Sequence, residues 1–94
     1  MQLQSEENRV FVADGMKKVV AEVTFPAVGE GLVDINHTFV DESLRGQGVA
    51  GQMMQAVADQ LRQQGKKAVL SCSYAVKWFE KHPEYADIKS PVES

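Results

Sequence analysis

A chain of 94 residues, 44% hydrophobic and 24% charged, has room for one globular domain, 1–94, and excludes both a second domain and a disordered polymer. Its net charge of −3 argues against a general nucleic-acid binder, which carries a basic excess. A single cysteine, Cys72, excludes an internal disulfide, and the absence of a secretion signal or membrane-length apolar run leads to the expectation of a soluble cytoplasmic protein with no membrane partner.

The predicted core is 8–88, with flexible ends at 1–7 and 89–94. Arg9-Val10-Phe11-Val12-Ala13 is rich in β-formers and runs into Asp14-Gly15, a hairpin-type dipeptide. Lys18 to Phe25 alternates imperfectly, with Val19, Ala21, Val23 and Phe25 on one face, and Pro26, Gly29 and Gly31 end it. A third strand is expected over Leu32 to Val40, placing Val33, Ile35, His37 and Phe39 on one face. The period then changes. Val49, Ala50, Met53, Met54, Val57, Ala58 and Leu61 recur at helical spacing, and Gly65 stops the helix. Ala68-Val69-Leu70 reads as a fourth strand, parallel to the third across a βαβ unit. Ser73 is placed to cap a second helix running to about Lys81, with a stripe of Ala75, Val76, Trp78 and Phe79 before Pro83 stops it. Tyr85 and Ile88 are candidate anchors beyond. The fold class is α/β, or α+β by stricter naming.

The informative segment joins the third strand to the first helix: Asp41-Glu42-Ser43-Leu44-Arg45-Gly46-Gln47-Gly48-Val49-Ala50. Helical N–H groups at the start of a helix lack intrahelical acceptors and carry the positive end of the macrodipole. Glycines at 46 and 48 let a bulky anion approach those amides closely. Such a loop suits a pyrophosphate. It lacks the Lys-Ser/Thr pair of a triphosphate loop and the spacing of a dinucleotide fingerprint. A mere turn before a helix is the plain alternative, but the carboxyl end of a strand in a βαβ unit is where open sheets place ligands.

Arg45-Gly46-Gln47-Gly48-Val49-Ala50 resembles the Arg/Gln-x-x-Gly-x-Gly/Ala signature of the GNAT superfamily of acyl-CoA-dependent N-acyltransferases. The chain is similar to its small stand-alone branch in three further places: Asn36-His37-Thr38, Cys72-Ser73-Tyr74, and Trp78-Phe79-x-x-His82-Pro83-Glu84-Tyr85. The resemblance implies acetyl-CoA as co-substrate and a sheet splayed between the third and fourth strands. The pantetheine arm then lies against backbone of Phe39 and Val40, and the pyrophosphate on Arg45, Gly46, Gln47, Gly48, Val49, Ala50 and Gly51. Ser73 and Tyr74 are expected as further cofactor contacts. The superfamily's two helices between its first strands are missing, with only Asp14-Gly15-Met16 in their place, which leaves the acceptor side open.

Acetyl transfer to an amine needs a neutral nucleophile, donors for the carbonyl oxygen and a proton for the departing thiolate. His37 is the candidate base, with burial as a structural residue the alternative. Cys72 stands before a helix start, where it can accept the acetyl group, protonate the leaving thiolate or fill space. Glu22 and Asp34 are alternative water-mediated bases that otherwise read as solvated surface groups. Tyr74 is a possible hydroxyl near the sulfur, Ser73 reads as a cap, and His82 reads as a helix C-terminal cap. Lys66 or Lys67 is within sequence reach of the cofactor's 3′-phosphate. No metal-ligand spacing is present. The expected activity is N-acetyl transfer to an amine such as a protein lysine, a polyamine or a small amine. A CoA-binding module without catalysis and a protein-interaction adaptor are the rivals, and oligomeric state is left open.

Overall fold

The computed structural model describes residues 3–90. Two sheets carry seven strands: β1 (Leu3–Glu6), β2 (Arg9–Ala13), β3 (Val19–Thr24), β4 (Ala27–Gly29), β5 (Leu32–Ile35), β6 (His37–Val40) and β7 (Lys67–Leu70). The first sheet is antiparallel in the order β1-β2-β3-β6, and the second has the order β4-β5-β7. Within it β5 and β7 run parallel, from Leu32 opposite Lys67 to Ile35 opposite Leu70. The crossover between them is α1 (Val49–Gln64), followed later by α2 (Ser73–Glu80) and a 3-10 turn, Pro83–Ile88.

Val10, Val12, Ala21 and Val23 turn one face of the first sheet inward, where Met53, Met54, Val57, Ala58 and Leu61 of α1 meet them; all are buried. That stripe recurs at helical spacing, so burial of one face holds the helix to the sheet. Gly65 ends α1 in the left-handed region at φ 71°, its N–H returning to the last turn.

Several expectations change. Leu3–Glu6, expected to be flexible, pairs antiparallel with β2, so the first two strands are joined by Glu7-Asn8 and not by Asp14-Gly15-Met16. Asn8 fastens that turn, exchanging bonds with the Phe25 main chain at 2.9 and 3.0 Å. Lys89 and Ser90, also expected to be flexible, follow β7 through a Ser90 N–H bond of 2.8 Å to Ala68 O; the rest of that tail, 91–94, lies outside the described residues. Val76 is exposed and Ser73 is the first helical residue of α2, not its cap, which is Cys72.

The main correction concerns the third strand. It breaks at Asn36 into β5, which serves the second sheet, and β6, which serves the first. Asn36 N–H donates to Thr24 O at 3.2 Å although His37 is the residue paired with Thr24. Two residues therefore oppose one, the arrangement of a β-bulge. Beyond the bulge the alternation reverses: Thr38 and Val40 turn inward, and His37 and Phe39 become exposed. His37 is thus not a buried companion of Val33 and Ile35.

Candidate active site

Because β6 leaves with β3 while β7 stays with β5, the two sheets part just after Ile35. Ser71 and Cys72 close the vertex, both donating N–H to Ile35 O at 3.1 Å. Asp41 N–H reaches Val20 O at 2.7 Å, and backbone groups alternate in direction along an antiparallel strand. Phe39 therefore turns its main chain to β3, and Thr38 and Val40 turn theirs to the gap.

At the wide end of the gap, Asp41 opens a 3-10 turn, Glu42–Leu44, and its carboxylate accepts from Ser43 N–H and Oγ at 3.0 and 2.6 Å. Those bonds hold the Asp41 carboxyl below the usual carboxylate range. Buried Leu44 pins the turn to the core. Gly46 and Gly48 then adopt φ of 85° and 74°, and a Cβ at either would meet no atom within 4 Å. The left-handed backbone, not crowding, is what calls for glycine there.

Gly48 precedes α1 with no side-chain cap, and the first intrahelical bond runs from Gln52 N–H to Gly48 O at 3.1 Å. The N–H groups of Val49, Ala50 and Gly51 are thereby left over at the positive end of the helix. They face a cleft of about 250 Å³ lined by Val40, Leu44, Arg45, Gly46, Gly48, Val49, Ala50, Gly51 and Tyr74. Gln47 is exposed on the loop, its Nε2 donating to Ser43 O at 3.4 Å, and Phe39 points its ring away on the outer face. Burial pushes the Tyr74 phenol up, so it remains a donor.

At the narrow end, Cys72 Sγ lies 3.4 Å from Thr38 Oγ1. Burial pushes the Cys72 thiol up, but Thr38 and the main-chain groups of Ala75 and Tyr74 outweigh it and hold the thiol below its ordinary range. His37 is on the opposite face of β6, exposed and directly across from Thr24. The structure thus brings Cys72 to the gap beside Thr38, a residue sequence reasoning passed over, and places His37 behind it. Glu22 is held in an ion pair by Arg9. Asp34 is on the middle strand of the second sheet, with Oδ1 buried and without a hydrogen-bond partner.

The closing motif is structural. Trp78 stacks on His82 at 3.9 Å, and His82 Nδ1 lies 2.7 Å from Trp78 O, a carbonyl that can only accept. This is the C-terminal capping role expected of His82. Tyr85 Oη donates to Asp59 at 2.6 Å, and Arg62 grips Asp87 with bonds of 3.2 and 2.6 Å. Lys67 donates to Asp87 O, which draws that lysine toward the closing turn.

A sheet parted beside a glycine-spaced helix start is the arrangement of an acetyltransferase of the GNAT class. A family profile described as GCN5-related N-acetyl-transferase matches residues 9–88, and the chain belongs to that family. It is similar to a GCN5-like protein from Staphylococcus aureus, with 32% identity, a TM-score of 0.78, and coverage of 98% of this chain and 90% of that one. A GNAT family N-acetyltransferase from Escherichia coli, YhbS, solved in complex with CoA, is 26% identical with a TM-score of 0.58, over 66% of this chain and 38% of that one. Protein NATD1 of Homo sapiens is 33% identical over 63 residues, 67% of this chain and 56% of the human protein. The match thus spans little more than half the length of that relative. No helix among the described residues is long and apolar enough to cross a membrane.

Proposed function

We propose that this protein binds acetyl-CoA in the gap and transfers the acetyl group to an amine. The observation that carries the reading is the set of left-over N–H groups of Val49, Ala50 and Gly51 opening on a cleft that Val40 of β6 also lines. A diphosphate seated on those amides, with Arg45 beside it, gains the helix-end field. The pantetheine arm then runs along β6, bonding the main chain of Val40 and Thr38, and brings the thioester toward Thr38 and Cys72. The CoA complex of the E. coli relative supports this use of the fold.

The amine nitrogen attacks the thioester carbonyl carbon, forming a C–N bond, and collapse of the tetrahedral adduct breaks the C–S bond. The amine gives up its proton to His37, directly or through water, from the exposed face of β6. The departing CoA thiolate takes a proton from the Cys72 thiol, and Cys72 regains one from solvent. Direct attack needs no acetyl-cysteine.

Calorimetric titration of CoA, with thiol release from acetyl-CoA over an amine panel, tests the proposal. Binding lost in Gly48→Glu, which puts negative charge at the amides, and release that depends on an amine are the expected results. Absence of CoA binding to the wild-type chain refutes it, and acetyl-Cys72 found by mass spectrometry replaces direct attack with a covalent route.

A further inference from the structure

Asp34 is a half-buried carboxylate that the fold leaves without a partner. It lies on β5 between buried Val33 and Ile35, so its side chain turns to the outer face of the second sheet, away from the core. Its Oδ1 is sealed from solvent with no hydrogen-bond partner, and no cation pairs with the carboxylate among the described residues. Its neighbours on that face are apolar: Val69 directly opposite on β7, and Leu32 two residues before it. Lys67, opposite Leu32, is the nearest cation by register, but its ammonium is drawn off to Asp87 O. Asp34 is therefore not the solvated surface group that its sequence position suggested. A carboxylate taken out of water without a partner is destabilising, and it calls for a donor from outside the chain.

Its place points to what that donor is. Asp34 is one residue before Ile35, whose carbonyl takes the N–H groups of Ser71 and Cys72 at the vertex, each at 3.1 Å. Beyond the bulge at Asn36, the next outward side chain of an alternating strand is His37, across from Thr24. Three residues of extended chain put the Asp34 and His37 Cα atoms at most about 10 Å apart. Two hydrogen bonds of about 3 Å close most of what their side chains leave between them. One nitrogen on the outer face of the vertex can touch both.

We propose that Asp34 docks the acceptor amine as its ammonium, with the alkyl stem on Leu32 and Val69 and the nitrogen beside His37. The role rests on the acetyl-transfer reading, in which His37 then takes the proton and the neutral nitrogen attacks the thioester, but the binding is measurable without turnover. Such a seat selects a primary alkylamine and turns away one that carries a carboxylate beside its nitrogen. A lysine side chain and a free alkylamine present the same chemistry.

The experiment follows backbone amide shifts of the ¹⁵N-labelled chain during titration with butylamine, with 1-butanol as its uncharged match, and with Nα-acetyl-lysine amide. Shifts at Asp34, Ile35, His37 and Val69, with butylamine bound about tenfold more tightly than butanol, are expected from one charge-assisted hydrogen bond. Tighter binding of the lysine amide than of butylamine assigns a peptide lysine, and the reverse assigns a free amine. Asp34→Asn keeps the shape and removes the charge. It should lose the preference for amine while melting no lower than the wild type, because an unpaired buried charge is gone; a carboxylate kept for structure would leave a lower melting temperature. Asp34→Glu, which restores the charge, should recover part of the preference. Equal affinity for amine and alcohol in the wild type, or a preference that survives in Asp34→Asn, overturns the inference, and the first needs no variant. A parallel CoA titration, read at Gly46 to Gly51, separates the two ideas. CoA shifts without amine shifts at Asp34 sink the docking role alone, and amine shifts without CoA shifts leave an ammonium site and sink acetyl transfer.

Discussion

Thr38 of β6 and Cys72 at the start of α2, 34 positions apart in the chain, meet at 3.4 Å across the vertex where the two sheets part. The contact joins the elements that diverge there, and it helps hold the Cys72 thiol below its ordinary range. Thr38→Val removes the hydroxyl at nearly constant volume. The Cys72 thiol should then titrate higher and alkylate more slowly at neutral pH, as iodoacetamide kinetics would measure. The sign for stability follows from linkage. A thiol that loses its proton more readily when folded makes the unfolded chain hold more protons in the window between the two titrations. Stability in the wild type therefore rises as pH climbs from the lowered folded value to the ordinary thiol value, and is level beyond. Denaturant melts across that window should show the rise, and Cys72→Ala should abolish it.

Gly48 separates conformational cost from ligand cost. Its φ of 74° penalises any side chain, yet a Cβ there meets nothing within 4 Å. Gly48→Ala should fold and lose about 1–2 kcal/mol in denaturant melts, the cost of a left-handed non-glycine residue. Gly48→Glu should fold comparably but lose CoA binding, because its carboxylate occupies the field meant for the diphosphate. If both variants bind CoA like the wild type, the helix mouth is not the site.

Gly51 makes the complementary case. It is inside the first turn of α1, and a Cβ there would come within 3.7 Å of Tyr74 Oη and 3.8 Å of Trp78 Nε1, ordinary packing distances. Gly51→Ala should therefore gain up to about 1 kcal/mol of stability from helix preference. Gly51 and Tyr74 both line the phosphate cleft, and the added methyl sits against Tyr74 Oη there, so CoA affinity should fall while the melting temperature rises.

How much of this was legible in the sequence depended on the length over which a pattern persists. The helix from Val49 to Gln64 repeats its apolar stripe through several turns and ends on Gly65, so its bounds were readable. Leu3–Glu6 and Ala27–Gly29 were not, because they are short edge strands that exist through pairing with Arg9–Ala13 and Leu32–Ile35. Asn36 misled more seriously. Alternation read straight through it buried His37 and exposed Thr38, and a single extra residue reversed both. The polar run Asn36-His37-Thr38 at the end of an apolar strand was the available hint of a break. The phosphate loop was legible because it is contiguous; the contact of Thr38 with Cys72 was not, because it forms only where the two sheets part.

The closing segment should carry stability and not chemistry. Trp78 is buried, stacks on His82 and lies 5.5 Å from Tyr85. Trp78→Ala should cost about 3–5 kcal/mol, the usual penalty for emptying a large aromatic site. Arg62→Ala frees Asp87 and the last turn, and should lower the melting temperature and speed proteolysis near residues 83–90. CoA affinity, compared at a temperature where both variants are folded, should stay close to wild type.

His37 gives the sharpest test of the chemistry, because its position separates it from the fold. It is exposed on the outer face of β6, across from Thr24, so its replacement disturbs no packing. His37→Ala should change stability by no more than about 0.5 kcal/mol, as expected of an exposed site. Acetyl transfer should fall by about 10²-fold, the contribution typical of a positioned base, with CoA affinity unchanged. Imidazole in the buffer should restore part of the lost rate, which a merely structural residue would not allow. Full activity in His37→Ala would instead place proton removal on bulk water, leaving the gap to supply orientation alone.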